Sequence, residues 1–175
     1  FIDHGGFFRG IDTVQAANIL AEMCATYLPE IQYILFYKNN QLCALDIRAK
    51  ILSPISSTDP NKLEEQLKCS ANQRFTYYDQ EHTLGIDISQ SEHAHGILTV
   101  DVVQGVLSQM LQAAMRMRGL GEQQSLVIVA NKPNLSLDDL FQQLSENEDQ
   151  RLAEEHFWAG LKKIHNLFRN DLLQR

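Results

Sequence analysis

Between residues 31 and 47 the chain carries two runs of aromatic, β-branched and other apolar residues, 31–37 and 42–47, separated by Lys38-Asn39-Asn40-Gln41. Asparagine tolerates left-handed backbone angles, so the pattern predicts a β-hairpin. A third extended piece is predicted over 50–55, ending in Ser56-Ser57-Thr58-Asp59-Pro60. There Asp59 at the N-cap and Pro60 at the first helical position open a short helix to about residue 70. A second pair of strands is predicted over 74–78 and 83–88, around Asp79-Gln80-Glu81-His82, because Leu84, Ile86 and Ile88 alternate with Gly85 and Asp87. Two consecutive hairpins imply a mostly antiparallel sheet.

The remaining segments read as helices with one further strand. Over 11–28 the polar residues Gln15, Asn18, Glu22 and Thr26 make one narrow stripe, with Asp12 or Thr13 as cap and Pro29 as stop. Over 100–118, capped by Thr99, the residues Val103, Val106, Leu107, Met110, Ala113, Ala114 and Met117 gather on one face, and Gly119 and Gly121 end the helix. A short strand over 125–130 is broken by Asn131-Lys132-Pro133-Asn134, and Ser136 with Asp139 resembles a capping box opening a helix to about residue 144. A last helix over 149–173 carries the stripe Phe157, Trp158, Leu161, Ile164, Phe168 and Leu172. The expected architecture is α+β: a mostly antiparallel sheet built from two hairpins, with helices packed on one face. Residues 1–10 read as a lead-in. Residues 11–175 read as a single domain with a helical C-terminal extension from about residue 132. A doubly wound nucleotide fold is disfavoured, since it needs single strands alternating with helices.

Charge narrows the function classes. The 15 Lys+Arg residues face 22 Asp+Glu, a net charge of −7, which argues against a nucleic-acid binder that works by neutralising phosphates. No apolar run approaches the roughly 20 residues that span a bilayer, so membrane insertion is not expected. Cys24, Cys43 and Cys69 are odd in number and far apart. They read as reduced, partly buried thiols, which favours a reducing compartment such as the cytoplasm. A chain of 175 residues buries roughly 70% of its unfolded surface and needs no metal or cofactor to fold.

Few residues suggest chemistry. His93 and His95, two apart in Ser91-Glu92-His93-Ala94-His95-Gly96, could share a divalent metal if Glu92, Asp101 or His82 completed the set. That reading makes the chain a metal-dependent hydrolase or a small-molecule-binding domain. The plainer reading is two solvated histidines. Asp3-His4-Gly5-Gly6 with Arg9-Gly10 precedes a helix and could hold an anion on free N–H groups. The plainer alternative is a lead-in that lays Phe7 and Phe8 against the domain. No Gly-x-Ser-x-Gly elbow or Cys-His signature is present, and nothing pairs Asp46, Glu81 or Asp87, so no catalytic residue is assigned and no enzyme is expected.

The C-terminal third is polarised. Seven acids lie over 132–155 against Lys132 and Arg151, and four bases over 156–175 against Asp171. Acids early and bases late suit a helix dipole. The aromatic stripe on the same helix also suits a protein-binding surface, where Phe157, Trp158, Leu161, Ile164, Phe168 and Leu172 would be the contacts. The element order over 11–118, about 60% of the chain, resembles the small acidic secretion chaperones of bacterial injection systems. Size, acidity, the opening segment and the extra helices after Ser125 are similar to the LvgA-like adaptors of the Dot/Icm type IV secretion coupling complex. That resemblance implies a non-enzymatic adaptor that recruits effector clients, beside other adaptor subunits and on the tail of the coupling protein. It places the protein in the cytoplasm, at the inner face of the membrane through that complex. No functional residue carries over from it.

Overall fold

The computed structural model describes the backbone of residues 1–83 and 88–173 and the side chains of 1–83 and 88–163. The first helix, α1 (Thr13–Tyr27), starts where the Asp12 carboxylate accepts from the N–H groups of Val14 and Gln15. Its buried face is Ala16, Ala17, Leu20, Ala21 and Cys24, mostly small side chains that let the helix lie close to the sheet. The first hairpin forms as expected from β1 (Tyr33–Lys38) and β2 (Gln41–Asp46), paired antiparallel. Asn39 and Asn40 have φ of 50° and 60°, both positive, as a tight two-residue hairpin turn requires. The third strand, β3 (Leu52–Pro54), adds antiparallel to β2. Asp59 then caps α2 (Pro60–Leu67) by accepting from Asn61 and Lys62.

The second half departs from the hairpin expectation. The fourth strand, β4 (Arg74–Thr76), pairs parallel with β1, which gives the order β3-β2-β1-β4. Residues 84–87 of the expected return arm lie outside the described residues. A second sheet pairs β5 (His95–Val100) parallel with β6 (Ser125–Ala130). The opening residues join the two sheets. Ile2 bridges in parallel to both Tyr78 and Leu98. Its N–H donates to Ile97 O at 2.7 Å, its carbonyl accepts from Thr99 N at 2.9 Å, and Asp3 N donates to Tyr78 O at 2.8 Å. Residues expected ahead of the domain thus thread through its interior. Only glycine fits at Gly5, where a Cβ would stand 2.7 Å from Val100 N.

Two helices differ from the sequence reading. The third, α3 (Leu107–Ala114), begins seven residues later than expected. The run Leu98-Thr99-Val100 is instead the inner part of β5, paired on one side by Ile2 and on the other by β6. Asp101 accepts from Val103 and Gln104 N–H groups and turns the chain before the helix. The two C-terminal helices are a single helix, α4 (Leu137–Leu173), of 37 residues. Between 137 and 159 the sequence holds neither Gly nor Pro to break it. Its start is the expected cap, with Asp139 N donating to Ser136 Oγ at 3.1 Å.

The fold is α+β, but helices cover both faces of the sheet rather than one. On one face α1 packs with Ile34, Phe36, Cys43 and Leu45. On the other, Leu35, Leu42, Ala44, Leu98 and Val100 meet Leu63 of α2, Met110 of α3 and Leu144 of α4. Three consecutive buried residues of β1, Ile34, Leu35 and Phe36, follow from that two-sided cover. Among the described residues no helix is long and apolar enough to cross a membrane.

Candidate functional site

His93 and His95 are both exposed. His93 lies in the turn before β5 and His95 at its amino end, where its Nδ1 is 2.6 Å from Ser125 Oγ. The further ligands needed for a metal do not converge on them. Asp101 follows the other end of β5, six residues from His95, roughly 20 Å away at strand rise. His82 is committed elsewhere. Among the described residues no group of three His, Cys, Asp or Glu is placed to hold a metal ion. The two histidines border a cleft of about 310 Å³ at the amino ends of the opening segment, β4 and β5. Arg74 also lines it and is buried, and neither terminal nitrogen has a hydrogen-bond partner. Glu64 Oε1 is 3.9 Å from Nη2, beyond hydrogen-bonding range.

At the opposite end, the carboxyl ends of the parallel segments carry Asp3, Asp79 and Asp101, the side on which open parallel sheets usually bind ligands. Asp3 is only 2% exposed. Its carboxylate accepts from Phe7 N at 2.5 Å, Phe8 N at 2.9 Å and Thr99 Oγ1 at 2.7 Å. The Asp3-His4-Gly5-Gly6 phrase is thereby a folded turn whose own carboxylate takes the N–H groups an anion would need. Next to it, His82 Nδ1 is 2.6 Å from Asp79 Oδ1 and Nε2 is 3.1 Å from Asn40 Oδ1. Tyr37 stacks on the same ring at 5.0 Å and 17°. These residues border a cleft of about 290 Å³. With a hydrogen-bond partner at each ring nitrogen and Tyr37 on its face, the imidazole is fixed in place between Asp79 and Asn40. Burial lowers the pKa of His4, against the opposing charge of Asp3. The sequence signal for this cluster is the i, i+3 spacing of Asp79 and His82, which by itself reads as a turn, and the structure sets His82 with Asn40 and Tyr37 rather than with His93 and His95.

The C-terminal helix supplies the third candidate. Leu140 and Leu144 are buried in the core. Asn147 Nδ2 donates to Val102 O and Gly105 O, both at 2.9 Å. Glu148 accepts from Ser108 N at 3.1 Å, and hydrogen bonding to the Ser108 side chain and backbone lowers its pKa. One turn further on, Arg151, Leu152 and Glu155 border a shallow cleft with Val106, Ser108 and Gln109. Every residue over 149–163 is exposed. Phe157 is 62% and Trp158 65% exposed, their rings packed edge to face at 5.7 Å. Leu161, one turn on from both rings, is also exposed. The predicted stripe is therefore on the surface at Phe157, Trp158 and Leu161. The side chains of Ile164, Phe168 and Leu172 lie outside the described residues.

No protein family, curated protein or solved structure matches this chain. Within this geometry the α4 arm holds two neighbouring aromatic rings that the core leaves uncovered. An isolated exposed Leu is ordinary on a protein surface. Adjacent exposed Phe and Trp on a helix that has left its own core are not.

Proposed function

We propose that this chain is a non-enzymatic, protein-binding adaptor that grips another polypeptide with the exposed arm of α4. The observation that carries this is Phe157 and Trp158, more than three-fifths exposed and packed on each other rather than on the core. Covering those rings and Leu161 would remove on the order of 300 Å² of apolar surface from water, a gross gain of about 7 kcal/mol before the costs of association. The polar clefts offer less. In one, the histidine is tied on both nitrogens, and in the other His93 and His95 meet no third metal ligand among the described residues. The resemblance of the element order to secretion chaperones supports a finer reading, in which the partner is an effector client or the tail of a secretion coupling protein.

A photo-crosslinking residue placed at Trp158 tests the proposal in the native cell. The adaptor reading expects an adduct with a defined protein that disappears when Leu161→Asp is added, and no such adduct from a probe at exposed Glu22 on α1. Equal labelling from both positions would contradict it. So would a stoichiometric metal, lost in His93→Ala, in protein purified without a histidine tag.

A further inference from the structure

We infer that the cleft at the carboxyl ends of the parallel segments binds a small organic cation, one whose ammonium or guanidinium head donates several hydrogen bonds. The site uses no residue of the α4 arm and is independent of the protein-binding proposal. It lies where three neighbouring parallel segments end: β1 at Asn39 and Asn40, the continuation of β4 at Asp79, and the opening segment at Asp3. The cleft of about 290 Å³ is near the lower end of ligand pockets, roughly 300–1,000 Å³. That space exceeds a bare metal ion, and among the described residues no group of three His, Cys, Asp or Glu is placed to hold one.

Tyr77 forms the floor. It is 2% exposed, with its ring packed against Phe1 and Phe8, and its hydroxyl makes no hydrogen bond among the described residues. The only side-chain nitrogens or oxygens there that are both sealed from solvent and unpartnered belong to Arg74. The unpaired Tyr77 hydroxyl therefore opens onto the cleft it lines. Burial raises the pKa of this phenol and the charges of Asp3 and Asp79 raise it further, so the hydroxyl stays protonated in a negative field. The lining has further acceptors to spare. Asp79 uses Oδ1 for both of its bonds to His82, which leaves Oδ2 without a donor among the described residues. Gln80 donates through Nε2 to His4 O at 3.4 Å, and its Oε1 is likewise left over. Glu81 stands exposed on the rim. Arg9, the only Lys or Arg of the lining, is turned to Asp101, with 3.7 Å between Nη2 and Oδ2. Spare acceptors beside three carboxylates select a ligand that is positively charged and rich in donors. An anion would meet Asp3, Asp79 and Glu81, and an apolar ligand would leave the buried hydroxyl unpaired.

Titration of the isotope-labelled full chain with n-butylguanidinium, followed by NMR, tests this, with n-butylurea as the uncharged isostere. Butylguanidinium is expected to shift the amide resonances of Asn40, Asp79 and Gln80 saturably, and butylurea to leave them in place. Tyr77→Phe removes one oxygen, keeps the ring in its packing and should weaken binding by about tenfold. Should that variant not fold, the comparison of the two probes on the wild type decides alone. No saturable shift from butylguanidinium, equal shifts from both probes, an affinity unchanged in Tyr77→Phe, or shifts spread evenly over the acidic surface would each overturn the site. A blocked tripeptide with a central arginine then separates the two sources of such a head. Binding as tight as that of butylguanidinium assigns the cleft to a basic side chain of another protein, and binding at least tenfold weaker assigns it to a free amine or guanidine.

Discussion

Replacing Asp3 by Ala tests whether the opening residues are part of the domain. The carboxylate accepts three hydrogen bonds, and two of the donors, Phe8 N and Thr99 Oγ1, are in buried surroundings. Each bond to a charged acceptor contributes about 1.5–3 kcal/mol, and each buried donor left unpaired costs about 1–3 kcal/mol. The bonds share one acceptor, so the losses do not add fully. Phe7 N is partly buried, so its loss is partly recovered by water. Relief of the buried charge's desolvation offsets a further part. The net expectation is a loss of about 4 kcal/mol, which for a chain of this size lowers the melting temperature by roughly 8–16 °C. Asp3→Asn keeps an acceptor but points an N–H at one of the donors, and should cost about half as much. Denaturant unfolding of both variants, with Thr99→Val as the second arm of a double-mutant cycle, measures these values. An Asp3→Ala variant within 1 kcal/mol of the parent would show that Ile2 and Asp3 do not hold the two sheets together, and would refute the argument.

Three shorter predictions follow from the same structure. Gly5→Ala drives a Cβ to 2.7 Å from Val100 N and 2.8 Å from its carbonyl carbon. It should destabilise by about 2 kcal/mol or more. Gly10→Ala, with φ of 82° and open space around it, should cost about 1 kcal/mol, and equal midpoints for the two variants would contradict this. Burial raises the pKa of all three thiols, that of Cys24 to about 11. None should be alkylated in the folded protein at pH 8 at the rate of a free thiol, which mass spectrometry of a timed reaction checks. Burial pushes the Asp101 carboxyl up, but hydrogen bonds from Val103, Asn131 and Gln104, with Arg9 nearby, outweigh it and hold its pKa below the usual carboxylate range. A lowered carboxyl pKa stabilises fully above the unfolded value near pH 4, and that stabilisation is lost as pH falls through the folded value. Asp101→Asn should therefore flatten the stability profile below pH 4 and leave its slope at pH 6–8 unchanged.

What could be read from the sequence was local, and what could not was long-range. The Asn39-Asn40 turn, the Asp12 and Asp59 caps and the Ser136–Asp139 pair are decided by residues within four positions of each other, and all four formed as read. The strand β5 could not be read that way. Leu98-Thr99-Val100 continues an apolar spacing that also suits a helix, and its strand state depends on Ile2, 96 residues from Leu98. The parallel partner of β4 was hidden for the same reason. The single 37-residue α4 was legible in principle, because no breaker lies between its halves. The polar stretch 145–148 reads as a gap between two helices, whereas Asn147 uses its polarity to tie one continuous helix to Val102 and Gly105. At the candidate sites, periodicity found the stripe on α4 but gave no measure of its exposure. The binding of His82 by Asp79 and Asn40 joins positions 42 residues apart, and no local pattern announces it.

The most direct test of the α4 arm is the emission maximum of Trp158, the single tryptophan of the chain, in the dilute purified protein. The account predicts the red-shifted maximum of a water-exposed indole, readily quenched by acrylamide, as its 65% exposure requires. A blue-shifted maximum that acrylamide does not reach would mean that Trp158 is sheltered by its own globule, and the account would be wrong.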